Sequence, residues 1–168
     1  MKRNEPARKV LAKEIPATDL LVVLPLSQKV GVAGASSDGA ARSGSTVYSL
    51  PYARGLGIDH TTRGHRLDLV DSWLVVTPTE LRFYGINQWS LTGKPKGHRE
   101  TIARDGVSLG WFDTNALTMV NRVLHFHFPD GTHLLSATML RAGSSKKTYN
   151  DEPQLLVEQF GDAATEVG

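Results

Sequence analysis

Residues 70–86 read VDSWLVVTPTELRFYGI. Two apolar runs flank a Thr-Pro-Thr-Glu turn, in which Pro78 supplies the fixed φ of a turn position. Pairing Thr77 with Glu80 sets the register of a hairpin. Val76 then faces Leu81, Leu74 faces Phe83 and Ser72 faces Gly85, all on one side. That side makes a core. The opposite side receives Trp73 against Tyr84 and Val75 against Arg82. A second sheet face carrying two aromatics needs a cover. Either Val10 and Leu11 of an N-terminal helix pack there, or Trp73, Arg82 and Tyr84 meet a partner.

A second hairpin follows in HFHFPDGTHLL, residues 125–135. Pro129-Asp130-Gly131 suits a three-residue loop with Gly131 in the left-handed conformation. Phe128 then pairs with Thr132, Phe126 with Leu134 and Leu124 with Ser136 on the core side. The other side holds His125, His127 and His133, with His127 opposite His133. Two same-face histidines on one strand and a third on its neighbour admit a three-nitrogen zinc site. No carboxylate is placed to fix the ring tautomers, and Leu135 sits beside them. The preferred reading is a polar, solvent-facing side of a hairpin, with no metal and no cofactor.

Around these hairpins the chain has three textures. Residues 1–29 form a helical arm: Asn4 can cap, Pro6 sits in the first turn, and Pro16 ends the helix. LLVV at 20–23 leaves helix or strand open. From 31 to 66 glycines punctuate the chain. VYSLPY at 47–52 is the one strand-like stretch there, and GLGIDHTTRGHR reads as a long mobile connection. Strands are expected near 67–77, 80–87, 99–104, 107–112, 122–128 and 132–140. Finally Asp151 caps a helix with Pro153 in its first turn and Leu156, Phe160, Ala163 and Ala164 on one face, over about 151–165.

The 168 residues suit one domain, and the absence of cysteine excludes disulfides, thiol catalysis and cysteine-ligated metals. That fits a reducing compartment, and a cytoplasmic chain is expected. The apolar run Leu20–Leu26 is too short to span a bilayer. As a leader it is disfavoured by Glu5, Glu14 and Asp19 before it and by Gln28 and Lys29 after it. Residues 1–147 hold 19 basic and 12 acidic groups, net +7, while 148–168 hold five acids and no base. A basic body raises anionic membrane and nucleic acid as partners. Nucleic acid is disfavoured, because the strands lack the alternation of aromatic and basic residues of an RNA-reading sheet.

Three pieces together resemble a known family. They are Val75-Val76-Thr77 with Leu81-Arg82-Phe83, then Thr101-Ile102-Ala103-Arg104-Asp105-Gly106-Val107, then Phe128-Pro129-Asp130-Gly131-Thr132. The pattern is similar to the bacterial PH-like (pleckstrin homology-like) domain over about 30–165. The resemblance implies a mainly β fold: a partly open, seven-stranded barrel or orthogonal sandwich closed by a C-terminal helix. It implies binding or assembly, not chemistry. The long glycine-rich connection and the N-terminal helical arm depart from the minimal domain.

The function expected is therefore non-enzymatic recognition of a protein or peptide, or self-association. An alternative is peripheral binding to anionic lipid through an anion-binding rim of Arg54, Arg63 and Arg66, with His65, and Lys94, Lys96 and Arg99, with His98. A more distant one is a metal-dependent enzyme on the histidine face. Paired carboxylates or a nucleophile beside a base are not spaced for hydrolysis. The glycine pair at 55–57 lacks the strand and helix of a phosphate loop. SDG at 37–39 and AGSS at 142–145 are loop compositions.

Overall fold

The Thr77 N–H donates to the Glu80 carbonyl at 2.9 Å, and the Glu80 N–H donates to Thr77 Oγ1 at 3.0 Å. This turn fixes the first hairpin in the expected register, with Trp73 opposite Tyr84, Leu74 opposite Phe83, Val75 opposite Arg82 and Val76 opposite Leu81. The structure, a computed structural model, describes residues 4–30, 46–87, 94–116, 119–142 and 151–168. SDG at 37–39 and most of AGSS lie outside the described residues.

Among the described residues the fold is mainly β, with eight strands in two four-stranded sheets. The first sheet runs β1 (Val22–Leu26), β2 (Ser72–Val76), β3 (Glu80–Tyr84) and β4 (His98–Ala103), all antiparallel neighbours. The second is ordered β7-β6-β5-β8. It consists of β5 (Ser108–Ala116), β6 (Met119–His127), β7 (His133–Ala142) and a short β8 (Ala164–Glu166) parallel to β5. Ser27 and Ala137 exchange backbone hydrogen bonds of 2.8 and 3.0 Å, which join the sheets at the β1 and β7 corner.

Between the sheets lies the main core. Leu74, Val76, Leu81 and Phe83 meet Leu124, Phe126 and Leu134 there, all fully buried, as the two hairpin registers require. Each such side chain contributes roughly 1.5–3 kcal/mol by leaving water. Two serines share the space without an orphaned hydroxyl: Ser72 Oγ donates to the Leu69 carbonyl and Ser136 Oγ to that of Val70. The helix α3 (Glu152–Phe160) closes one side of this core with Leu156 and Phe160.

Several elements differ from the sequence reading. LLVV resolves to the start of β1, whose Pro25 is tolerated because β1 is an edge strand beyond β2. VYSLPY is not a strand. Val47–Ser49 form a 3-10 turn, followed by the short helix α2 (Pro51–Gly55), since Pro51 lacks a ladder donor but fits a helix's first turn. Leu67–Leu69 are also a 3-10 turn, so β2 begins only at Ser72. The last helix stops at Phe160, where Gly161 takes φ +52°, and Ala164 belongs to β8 instead. Neither expected side-chain cap forms at Asn4 or Asp151. The Asp151 carbonyl accepts from Gln154 and Leu155, and Asn4 is spent on β1.

Candidate functional site

Both outer sheet faces are covered by the chain itself. On the first sheet the helix α1 (Glu5–Leu11) and the turns after it lay Ala7, Leu11, Ile15 and Leu20 over Val23, Trp73, Val75 and Tyr84. Trp73 and Tyr84 are 1% and 2% exposed, so neither presents a surface to a partner in this conformation. Leu11 packs there as expected, whereas Val10 turns half-outward. Arg82 is half-buried and pairs with Glu80 at 2.8 Å. β1 lies within residues 1–29, so the arm supplies a strand of the first sheet as well as a helix.

The arm is locked to α3 through the edge of β1. Asn4 Nδ2 donates to the Val23 carbonyl at 2.6 Å, and the Val23 N–H donates to Glu152 Oε2 at 3.0 Å. Arg8 donates to Glu152 Oε1 from Nε at 2.9 Å and from Nη2 at 2.6 Å, and its Nη1 reaches the Leu20 carbonyl. Side chains thus satisfy an edge strand that would otherwise offer free backbone groups.

On the second sheet a strap of residues 46–66 covers β6 and β7. It is folded rather than a loose connection: Asp59 Oδ1 accepts from the Thr61 N–H and hydroxyl, and Val47, Leu50, Ala53 and Ile58 pack on Val123, Leu135 and Ala137. Under its edge lies the histidine face, which is therefore no solvent face. His125 is 3% and His65 8% exposed; His133 is half-buried and His127 exposed. Tyr52 Oη lies 3.0 Å from His125 Nδ1, and His125 Nε2 lies 3.0 Å from His133 Nδ1. His65 lies tilted beside His133 at 5.1 Å between ring centres, and neither of its ring nitrogens has a hydrogen-bond partner among the described residues. Burial lowers His65 to about 4 and His125 to about 3, neighbouring histidines adding to each shift, and lowers His133 as well. Burial and, to a lesser degree, Asp71 push the Tyr48 phenol up to about 12.

No group of three His, Cys, Asp or Glu side chains placed to hold a metal ion occurs among the described residues, so His125, His127 and His133 are not arranged here as the zinc triad that the sequence admitted.

Of the anion-rim residues, half-buried Arg66 and exposed Arg99 are already engaged by other groups of the chain. Arg66 pairs with Asp68 at 2.8 Å and also with Glu100. These hydrogen bonds raise its pKa further and depress that of Asp68. Arg99 donates to the Asp68 and Asp71 carbonyls, which caps the turn before β2. His65 is buried, and His98 shares a 2.7 Å hydrogen bond with Thr101. Arg54 and Arg63 are exposed on the strap, and Lys96 is exposed before β4. Lys94 joins Lys9 and Lys13 around a hollow of about 290 Å³ that Glu5, Pro6 and Val10 also line. No helix among the described residues is long and apolar enough to cross a membrane.

The outer edge of β5 was not singled out by its sequence. β8 pairs with it over three residues only, Leu109 with Ala164, Gly110 with Thr165 and Trp111 with Glu166, and the Val167 N–H then donates to the Trp111 carbonyl. From Phe112 to Ala116 that edge has no strand partner among the described residues. Half-buried Trp111 lies beside it, its ring 4.1 Å from the Arg122 guanidinium. Arg122 is held by both oxygens of Asp113 and by Gln154 of α3.

Comparison with known proteins gives no relative. No family model, no curated protein and no solved structure matches the chain. The site has to be read from its own geometry, and two features stand out: the part-filled β5 edge beside α3, and the histidines beneath the strap.

Proposed function

We propose that this chain is a non-enzymatic, PH-like binding module that takes an extended protein segment along the β5 edge beside α3. The strand succession supports the PH-like reading: four antiparallel strands, then three, then a helix closing the core. One observation carries the function. The β5 edge is held over three residues by the chain's own 164–166 and has no strand partner beyond them among the described residues. Backbone groups on such an edge are a template for an added strand, which supplies main-chain affinity while neighbouring pockets read alternate side chains. The half-buried Trp111 and the polar Arg122–Asp113–Gln154 group supply those neighbours.

The test is a random peptide library displayed on phage and selected against the chain shortened after Gly161. Selected peptides should perturb the backbone amides of 109–116 in nuclear magnetic resonance spectra. Selected peptides that leave those amides unmoved, or failure to select any, would contradict the reading.

A second reading, attachment to anionic lipid, draws on the hollow where Lys94 meets Lys9 and Lys13. Each cation near an anionic membrane contributes about 1 kcal/mol. Arg66, already paired with Asp68 and Glu100, and Arg99, already bonded to the Asp68 and Asp71 carbonyls, weaken the broader rim.

A further inference from the structure

We propose that the 46–66 strap is an acid-operated cover: protonation of the histidines between it and the second sheet opens it and bares the apolar outer face of β6 and β7. The inference does not depend on what the β5 edge binds.

Geometry carries it first. The 3.0 Å contact between His125 Nε2 and His133 Nδ1 accommodates one proton, so the two rings cannot both be imidazolium and keep it. In the neutral state the chain of bonds is consistent: the Tyr52 hydroxyl donates to His125, His125 donates to His133, and the backbone of Arg63 engages the His133 ring. His65 is buried with neither ring nitrogen partnered, so a charge there meets no acceptor. The rings are also crowded, with His125 and His127 centred 4.1 Å apart, so a second charge repels the first.

Among the described residues none of these histidines has an ion pair. The strap contributes Tyr48, Tyr52 and the exposed His60 around the rings. β5 turns Gly110 and Phe112 toward this face, which titrate nothing. The strap also carries Arg54, Asp59 and Arg63, whose side chains are exposed, and beyond it lie Asp71, which acts on Tyr48, and Arg66, which acts on Asp130 in the β6–β7 turn.

The sign follows from the lowered values of His65, His125 and His133. An open strap lets the rings take protons near their ordinary value of about 6.5. Closure is therefore complete above about pH 6.5 and weakens as the pH falls toward 4 and 3. At pH 5 each of His65 and His125 favours opening by about 30-fold relative to pH 8, and the two together by about a thousandfold. Opening is local because the main core between the sheets and the cluster under α1 are built of other residues and do not pack against the strap's apolar side chains. Gly64 and Arg66 remain tied to the His133 backbone and serve as one hinge.

The experiment is amide hydrogen exchange of the intact chain by mass spectrometry at pH 8 and pH 5, corrected for intrinsic exchange rates. Protection in 47–62 should fall by a hundredfold or more at pH 5 while 72–84 keeps its own. His65→Leu should cut the response to about 30-fold, and His65→Leu with His125→Gln should cut it further, to the share of His133 alone. Should the double variant fail to fold, His65→Leu alone decides by that residual. An unchanged strap, an equal loss across 72–84, or a full response in His65→Leu would overturn the proposal.

Discussion

Glu152 is the residue whose removal should be felt furthest from where it sits. It opens α3, is 5% exposed, and accepts two hydrogen bonds from Arg8 and one from the Val23 N–H. Glu152→Ala strips all three at once. Removing one partner of a buried ion pair costs about 3–5 kcal/mol. Arg8 tempers this, because its side chain is 19% exposed and keeps the Leu20 carbonyl at 2.6 Å. The Val23 N–H has no such recourse, since Val23 is fully buried, and an orphaned donor there costs about 1–3 kcal/mol. The two losses overlap, so a net cost of about 3–4 kcal/mol is expected, a large share of the roughly 5–15 kcal/mol that holds a domain together. In thermal unfolding that is about 10 °C. Glu152→Gln keeps an acceptor for Val23 and should cost about half as much. A double-mutant cycle with Arg8→Met should return a coupling of about 1 kcal/mol or more. If Glu152→Ala unfolds in urea within 1 kcal/mol of the parent, the lock between arm and helix does not contribute what its geometry implies.

Three further outcomes are expected. Leu11→Ala, beneath which Trp73 and Tyr84 lie, should cost about 2–4 kcal/mol in denaturant unfolding, a core-like value; a cost under 0.5 kcal/mol would mean that α1 is not a packed cover. Gly131→Ala meets no atom within 4 Å but must hold φ +87°, so it should lose about 1–2 kcal/mol, whereas Gly97→Ala, with equal space and no such φ, should be near neutral. If the lysine hollow binds lipid, sedimentation with phosphatidylserine vesicles should weaken on adding salt and be lost in Lys9→Glu with Lys94→Glu; binding indifferent to both would exclude that mechanism.

Both hairpins were legible because turn chemistry and the two-residue period fix a register together. Pro78 and Gly131 set the turns, and a slip by one residue would have put Leu74 and Phe126 outside. The cover on the first sheet was legible for the same reason, since Trp73 and Tyr84 pointing outward demanded one. The strap was not. Its buried residues, Val47, Leu50, Ala53 and Ile58, are scattered among glycines and polar side chains, and β-forming Val47 and Tyr48 suggested a strand although Pro51 argued for a helix start. With the strap unread, His125 passed for a surface residue and His65 for part of a cationic rim. The Arg8–Glu152 lock joins residues 144 apart, a pairing that no local pattern contains. β8 was hidden because Ala163 and Ala164 continue the helical spacing of Leu156 and Phe160, while Gly161 carried the stop signal.

The account turns on whether the β5 edge accepts a strand in trans. A labelled peptide of residues 161–168, GDAATEVG, should bind the chain shortened after Phe160 and shift the amides of Leu109 to Trp111. The full-length chain, whose own segment already occupies the Leu109–Trp111 part of that edge, should bind this peptide far more weakly. Thr165→Pro in the peptide, which removes a backbone donor, should abolish the shift. Equal binding to both chains, or shifts confined to residues away from β5, would contradict the assignment of that edge as the binding site.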